Sequence, residues 1–155
     1  AASHRAPHAG AAGGVSMAAR PTRSLEEMPP PSAFAALLGI EVETCTPEEV
    51  VCSMLVTEAM GNRNGVLHGG ALMAIADTAA GTSAFINSPA EVSNTTVEAK
   101  TNFIRPVRVG DRLTARCVPV HVGRMTLVLQ VTLTRGDGKV VGSTSQTHLF
   151  LGWKD

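Results

Sequence analysis

Tyrosine is absent from the 155-residue chain, and aromatic side chains make up only 3% of it. Few rings are therefore available for unpaired bases to stack on. Charge of either sign is scarce at 17%, and thirteen basic residues balance thirteen acidic ones. The broad positive field of a DNA reader is missing. Cysteine is limited to Cys45, Cys52 and Cys117, with no CxxC pair and no metal-ligand spacing. Such a set reads as reduced, intracellular thiols packed as small apolar groups. The greasiest stretch, residues 70–86, is short and interrupted by Asp77, Thr78, Thr82 and Ser83, so it is no membrane span. These deficits argue against a nucleic-acid reader, a disulfide scaffold, a zinc protein and a membrane protein. What is present is a 44% apolar composition, enough to bury one core in a chain of common domain size.

Residues 1–31 differ in kind from the rest. They are rich in Ala, Gly, Ser and Pro, carry Arg5, Arg20 and Arg23, and hold no acid before Glu26. This composition cannot bury a core and reads as a flexible tail, either a processing remnant of the organelle-transit type or a cloning remnant. The domain is expected over residues 32–155. Ser32 caps a short helical run that Gly39 stops. Two strand-like runs follow at 40–46 and 50–57, split by the Thr46-Pro47-Glu48 turn. Residues 70–86 combine high helix propensity with length, and their apolar character all round predicts a helix buried on most sides. The remainder is strand material: 92–104, 112–120, 125–134 and 139–151, the last two joined at Gly136-Asp137-Gly138 as a hairpin. One long helix among consecutive strands predicts an α+β fold, an antiparallel sheet wrapped on that helix. A single sheet leaves a face or edge uncovered, so dimerisation is expected.

The chemistry concentrates in Gly65-Val66-Leu67-His68-Gly69-Gly70. Glycines at a helix start let a reacting group approach bare backbone, where the first amides lack internal partners and sit at the positive end of the helix. A carbonyl there is polarised and a forming oxyanion stabilised, although a loop-to-helix turn alone also uses such residues. Asp77 is the only charge between Arg63 and Glu91. A carboxylate among Ile75, Ala76, Ala79 and Ala80 is costly unless it is paired or used. Gly69 and Asp77 stand about 12 Å apart along one helix, so one scissile carbonyl reaches both only if a second subunit supplies one of them.

The run Asn62-x5-His68-Gly69-Gly70-x6-Asp77 resembles the signature of the hotdog-fold acyl-CoA thioesterases. An aspartate on the helix is similar to the phenylacetate-pathway (PaaI) branch and its animal relatives. The resemblance spans about residues 32–152, and residues 97–106 look like the central strand of that family. It implies that Asp77 is the catalytic carboxylate, as general base on water or as nucleophile, and that the Gly69 N–H polarises the thioester carbonyl. Asn62 would face the carboxylate from the partner chain. His68 would support the oxyanion loop, by a structural role or by direct catalysis. Thr96 falls where relatives carry a hydroxyl near the attacking water, although a plain β-branched strand residue is the simpler reading of the position.

Residues 26–98 hold ten acids and one base, whereas residues 100–139 hold eight bases and two acids. Arginine suits phosphate contacts, so the basic half is expected to hold the phosphates of coenzyme A. Arg105 and the Gly123-Arg124 turn are the leading contacts, beside Gly70 at the helix start. The expected function is hydrolysis of acyl-CoA thioesters without metal or redox cofactor, coenzyme A being part of the substrate. The expected assembly is a homodimer with shared sites, or a tetramer, placed in the cytoplasm or in an organelle matrix, with no nucleic-acid or membrane partner. A non-catalytic acyl-CoA sensor and a hydratase or dehydratase of the same fold are the alternatives.

Overall fold

The computed structural model describes residues 23–90 and 92–152. Most of the segment set apart as a tail, residues 1–22, lies outside the described residues.

Ser32 caps the first helix, α1 (Ala33–Leu37), its side chain accepting from the Ala35 N–H at 3.2 Å. Gly39 ends it at φ +62°, a conformation that side chains rarely adopt. Strands β1 (Glu41–Cys45) and β2 (Val50–Leu55) form the first antiparallel pair. One long helix follows, α2 (Gly69–Ile86), and then β3 (Ser93–Phe103), β4 (Arg112–Val122), β5 (Thr126–Arg135) and β6 (Val140–Leu151). All pairings are antiparallel, in the order β1-β2-β4-β5-β6-β3. This is the expected α+β hotdog arrangement, a curved sheet around one helix.

Alternation fixes which face of the sheet meets α2. Leu127, Leu129, Val131 and Leu133 of β5 are fully buried, and across the hairpin they pair with His148, Gln146, Thr144 and Gly142 of β6. Paired residues share a face, so the inward row of β6 is unusually polar. Helix α2 contributes Leu72, Ile75, Ala76, Ala79, Ala80, Ser83, Ala84 and Ile86 to the core. Its small residues let the helix settle close to the sheet. At Gly142 an added Cβ would stand 3.2 Å from Leu72 Cδ2 and 3.3 Å from Leu133 Cδ1, so a side chain there would push these leucines back by a few tenths of an ångström.

The expectation of a helix buried on most sides is corrected in part. Met73 and Asp77 are exposed, and Thr78, Gly81, Thr82 and Phe85 are only half-buried. The sheet covers one face of α2, and along the flank opposite, Met28–Pro31, Ala35 of α1, Ile40 and Val42 line an open cavity with it. Arg23 donates to the carbonyls of Ala90 and Val92 at 3.0 and 2.9 Å, and its guanidinium lies 4.3 Å from the centre of the Phe85 ring. Strand β3 closes the sheet, paired to β6 on one side only among the described residues.

Candidate active site

The start of α2 is built by His68. Its Nδ1 accepts from the Gly70 N–H at 2.9 Å and its own N–H donates to the Met60 carbonyl at 2.8 Å. The imidazole is thus the N-cap of the helix, a role usually filled by Ser, Thr, Asp or Asn. A Cβ at position 70 would stand 3.0 Å from that Nδ1, so the glycine belongs to the cap. The Gly70 amide is consumed by the cap, whereas among the described residues no acceptor takes the Gly69 N–H. The one free amide at this positive helix end therefore belongs to residue 69.

Asn62 folds the preceding loop. Its Oδ1 accepts from Asn64 N–H at 2.8 Å and Val66 N–H at 3.4 Å, which leaves its NH₂ group to donate. Asn62 and Gly69 line one cavity of about 390 Å³ together with Leu67, Leu72, Phe103 and Arg105. Arg105 is fastened at its rim by a 2.6 Å bond to the Val140 carbonyl.

Asp77 lines a different cavity of about 770 Å³, walled by Thr78, Gly81, Thr82 and Phe85 of α2, Ile40 and Val42 near β1, Asn94 of β3, and Met28–Pro31. The sequence implied a carboxylate enclosed in apolar surroundings. Asp77 is instead solvent-exposed, because it lies on the flank of α2 turned away from the sheet and opens into this cavity. One of its oxygens is nevertheless held from below: Gln146 Nε2 donates to Asp77 Oδ1 at 3.1 Å. Gln146 Oε1 in turn lies 3.0 Å from His148 Nε2. Burial holds the His148 imidazole below its ordinary pKa of 6.5, with Asp77 pulling weakly the other way.

Thr96 pairs with His148 just before a bulge in β3 and therefore lies on the inward sheet face, exposed and, among the described residues, with no side-chain hydrogen bond. The Gly123-Arg124 turn joins β4 to β5 beside the end of β6, where the Phe150 N–H donates to the Met125 carbonyl. Arg105 and Arg124 thus stand at opposite ends of the sheet. Within one chain the structure brings Asn62, Gly69 and Arg105 together and keeps Asp77 apart from them.

Gln146 and His148 were not among the sequence candidates. Burial pushes the Cys52 thiol up to about 12 and Cys117 to about 11, so neither supplies a thiolate near neutral pH. Among the described residues no three His, Cys, Asp or Glu side chains gather as a metal site, and no helix is long and apolar enough to cross a membrane.

Comparison with known proteins gives a consistent set of likenesses. Residues 64–142 match the profile of the thioesterase superfamily. A Deinococcus radiodurans protein with a provisional esterase name is 31% identical over 125 residues, covering 80% of this chain and 79% of its own. The acyl-coenzyme A thioesterase PaaI of Escherichia coli is 32% identical over 109 residues, 70% of this chain and 76% of that protein. The solved structure of the E. coli PaaI protein superposes with a TM-score of 0.74 at 28% identity, covering 78% of this chain and 86% of the other.

Proposed function

This chain belongs to the thioesterase superfamily, within its PaaI-like hotdog branch, and we propose that it hydrolyses acyl-CoA thioesters to free acid and coenzyme A with Asp77 as the reacting carboxylate. The observation that carries this reading is Asp77 itself, a carboxylate anchored by a buried amide at the mouth of a largely apolar 770 Å³ cavity.

The chemistry needs an electrophile made more reactive and a group to attack it. The Gly69 N–H, at the positive end of α2, donates to the thioester carbonyl oxygen and stabilises the oxyanion that forms on it. Asp77 takes a proton from water as the water attacks, or attacks the carbonyl itself. Collapse of the tetrahedral species then expels coenzyme A as a thiolate; on the direct route this leaves an acyl–Asp77 anhydride, which water hydrolyses to release the acid and restore the carboxylate. Asn62, whose carboxamide NH₂ has no acceptor among the described residues, orients water or substrate at the same carbonyl.

One chain does not assemble these groups, since Gly69 and Asn62 open into one cavity and Asp77 into another. A second copy supplies the missing half. Strand β3, eleven residues long and paired on one side, is the edge through which two sheets would join. The nucleotide of coenzyme A settles on the basic half of the chain with Arg124 at its phosphates, while Arg105, at the other end of the sheet, serves the Gly69 cavity instead.

The test is a thiol-release screen over phenylacetyl-, hydroxybenzoyl-, short-chain and long-chain acyl-CoAs, run on wild type and Asp77→Asn. The amide is nearly isosteric and still accepts from Gln146, so the variant should fold normally. Its kcat should fall by about 10²-fold or more, the scale of a lost acid–base group. A near-normal kcat would remove Asp77 from the chemistry. Tight acyl-CoA binding without turnover in wild type would instead indicate a sensor.

A further inference from the structure

We propose that Gln146 and His148 are positioning residues for the Asp77 carboxylate, the imidazole locking the Gln146 carboxamide and the amide fixing one carboxylate oxygen so that the other faces the cavity. The inference deepens the reading above and rests on Asp77 being the reacting group.

The argument starts from an oddity of packing. Gln146 and His148 are each only 1% exposed, and they pair across the hairpin with the fully buried Leu129 and Leu127. Leucine or valine would fill these places without desolvating polar atoms, which costs free energy wherever a hydrogen bond is not regained. Their polar atoms form a single chain that ends at Asp77 Oδ1, through contacts of 3.0 and 3.1 Å.

The directions of these bonds follow from one constraint. An ionised carboxylate only accepts, so Gln146 must turn its NH₂ toward Asp77. Its Oε1 then faces His148, and because that oxygen also only accepts, His148 Nε2 must carry the proton. The neutral Nε2–H tautomer fits this need. The remaining nitrogen, Nδ1, is buried with no partner among the described residues, so a second proton there would find no acceptor among them. Burial disfavours the charged ring as well. With the imidazole donating, a flipped Gln146 amide would set NH₂ against N–H and oxygen against carboxylate. His148 therefore holds the amide in one of its two orientations. Asp77 is left with Oδ1 occupied and Oδ2 toward the cavity, a defined base rather than a freely rotating one.

The experiment measures kcat and KM for the acyl-CoA cleaved fastest, using the full chain and four variants, with thermal melts as the check on folding. Gln146→Met keeps length and removes the donor; kcat should fall about tenfold with KM within about twofold, because orientation of the base matters to the transition state and not to binding. His148→Phe keeps a ring without the donor and should do the same, whereas His148→Gln returns an N–H near the Nε2 position and should recover kcat to within about threefold of wild type. Asp77→Asn separates the two levels of the argument. If it is inactive while Gln146→Met keeps kcat within about twofold, positioning is refuted and the Asp77 reading stands. If it retains full kcat, both fall. Should Gln146→Met fail to fold, the His148 pair decides: equal kcat for His148→Gln and His148→Phe overturns the proposal.

Discussion

A single methyl group at position 69 tests the amide on which the proposed chemistry depends. Built on the existing backbone, the Cβ of Gly69→Ala lies 3.0 Å from Phe103 Cε1 and 3.3 Å from Cζ, so the ring must move. Phe103 is 58% exposed, and its displacement should cost less than the roughly 1–3 kcal/mol of overpacking a closed core. Alanine is better than glycine inside a helix by about 0.8–1.0 kcal/mol, and the first position recovers part of that. The two effects oppose each other, so the melting temperature should shift by no more than about 5 °C. Activity should respond differently. The methyl and the displaced ring both enter the space in front of the Gly69 N–H, and losing one oxyanion donor outright costs about 10²–10³-fold. The donor here is obstructed rather than removed, so kcat/KM should fall about 10- to 100-fold. The thiol-release assay on Gly69→Ala, Phe103→Ala and the double variant separates the causes. Because the methyl stands beside the amide whether or not the ring is present, the double variant should stay low. Recovery in the double variant would assign the effect to the ring. Wild-type kcat/KM in Gly69→Ala would refute the idea that the thioester carbonyl meets this amide.

Mixing Asp77→Asn with Asn62→Ala should restore activity, since a mixed dimer holds one site with both native groups; a stable monomer turning over at the full rate would contradict a shared site. Arg124→Ala should raise KM a few-fold with kcat nearly intact, the mark of a contact equal in ground and transition states, and the effect should shrink with salt. Acid should weaken the fold through His148. The unfolded chain takes up a proton near the ordinary histidine pKa of 6.5 that the folded chain, its own value lowered by burial, refuses. Stability is then intact above that pH, falls as pH drops through it, and levels off below the folded value. Urea midpoints from about pH 7.5 to 5 should show this slope, and His148→Phe should flatten it.

Much of the architecture was legible because local signals agreed. Ser32 and Gly39 bracket α1, and Gly136-Asp137-Gly138 marks the β5–β6 hairpin. The alternation of Leu127, Leu129, Val131 and Leu133 marks the buried face. The surroundings of Asp77 were misread because an all-apolar helix carries no record of which flank the sheet leaves open. His68 was left between two roles, and its Nδ1 cap on Gly70 shows how it supports the helix start. Gln146 and His148 had a usable signal. Counting back from the hairpin turn sets them opposite Leu129 and Leu127, and polar residues at inward positions of a strand mark a site or a network. The meeting of Gln146 with Asp77 had no local signal, since it joins residues 69 apart.

The strand order has a consequence for timing. Strands β4, β5 and β6 are neighbours in both sequence and sheet, so they can zip together as they are made, whereas β3 is made before all three and pairs only with the last. Loop closure over such a distance must be met before the contacts that reward it. As the chain emerges during synthesis, β3 therefore waits unpaired until β6 appears. The same wait applies to Asp77, because its anchor at Gln146 and the His148 behind it both arrive on β6. A nascent chain halted before residue 140 holds the glycine amide and the carboxylate but nothing to aim that carboxylate. The aimed carboxylate would then arrive as the last event in the folding of the chain itself, in the same step that closes the sheet and before a second copy can complete the site.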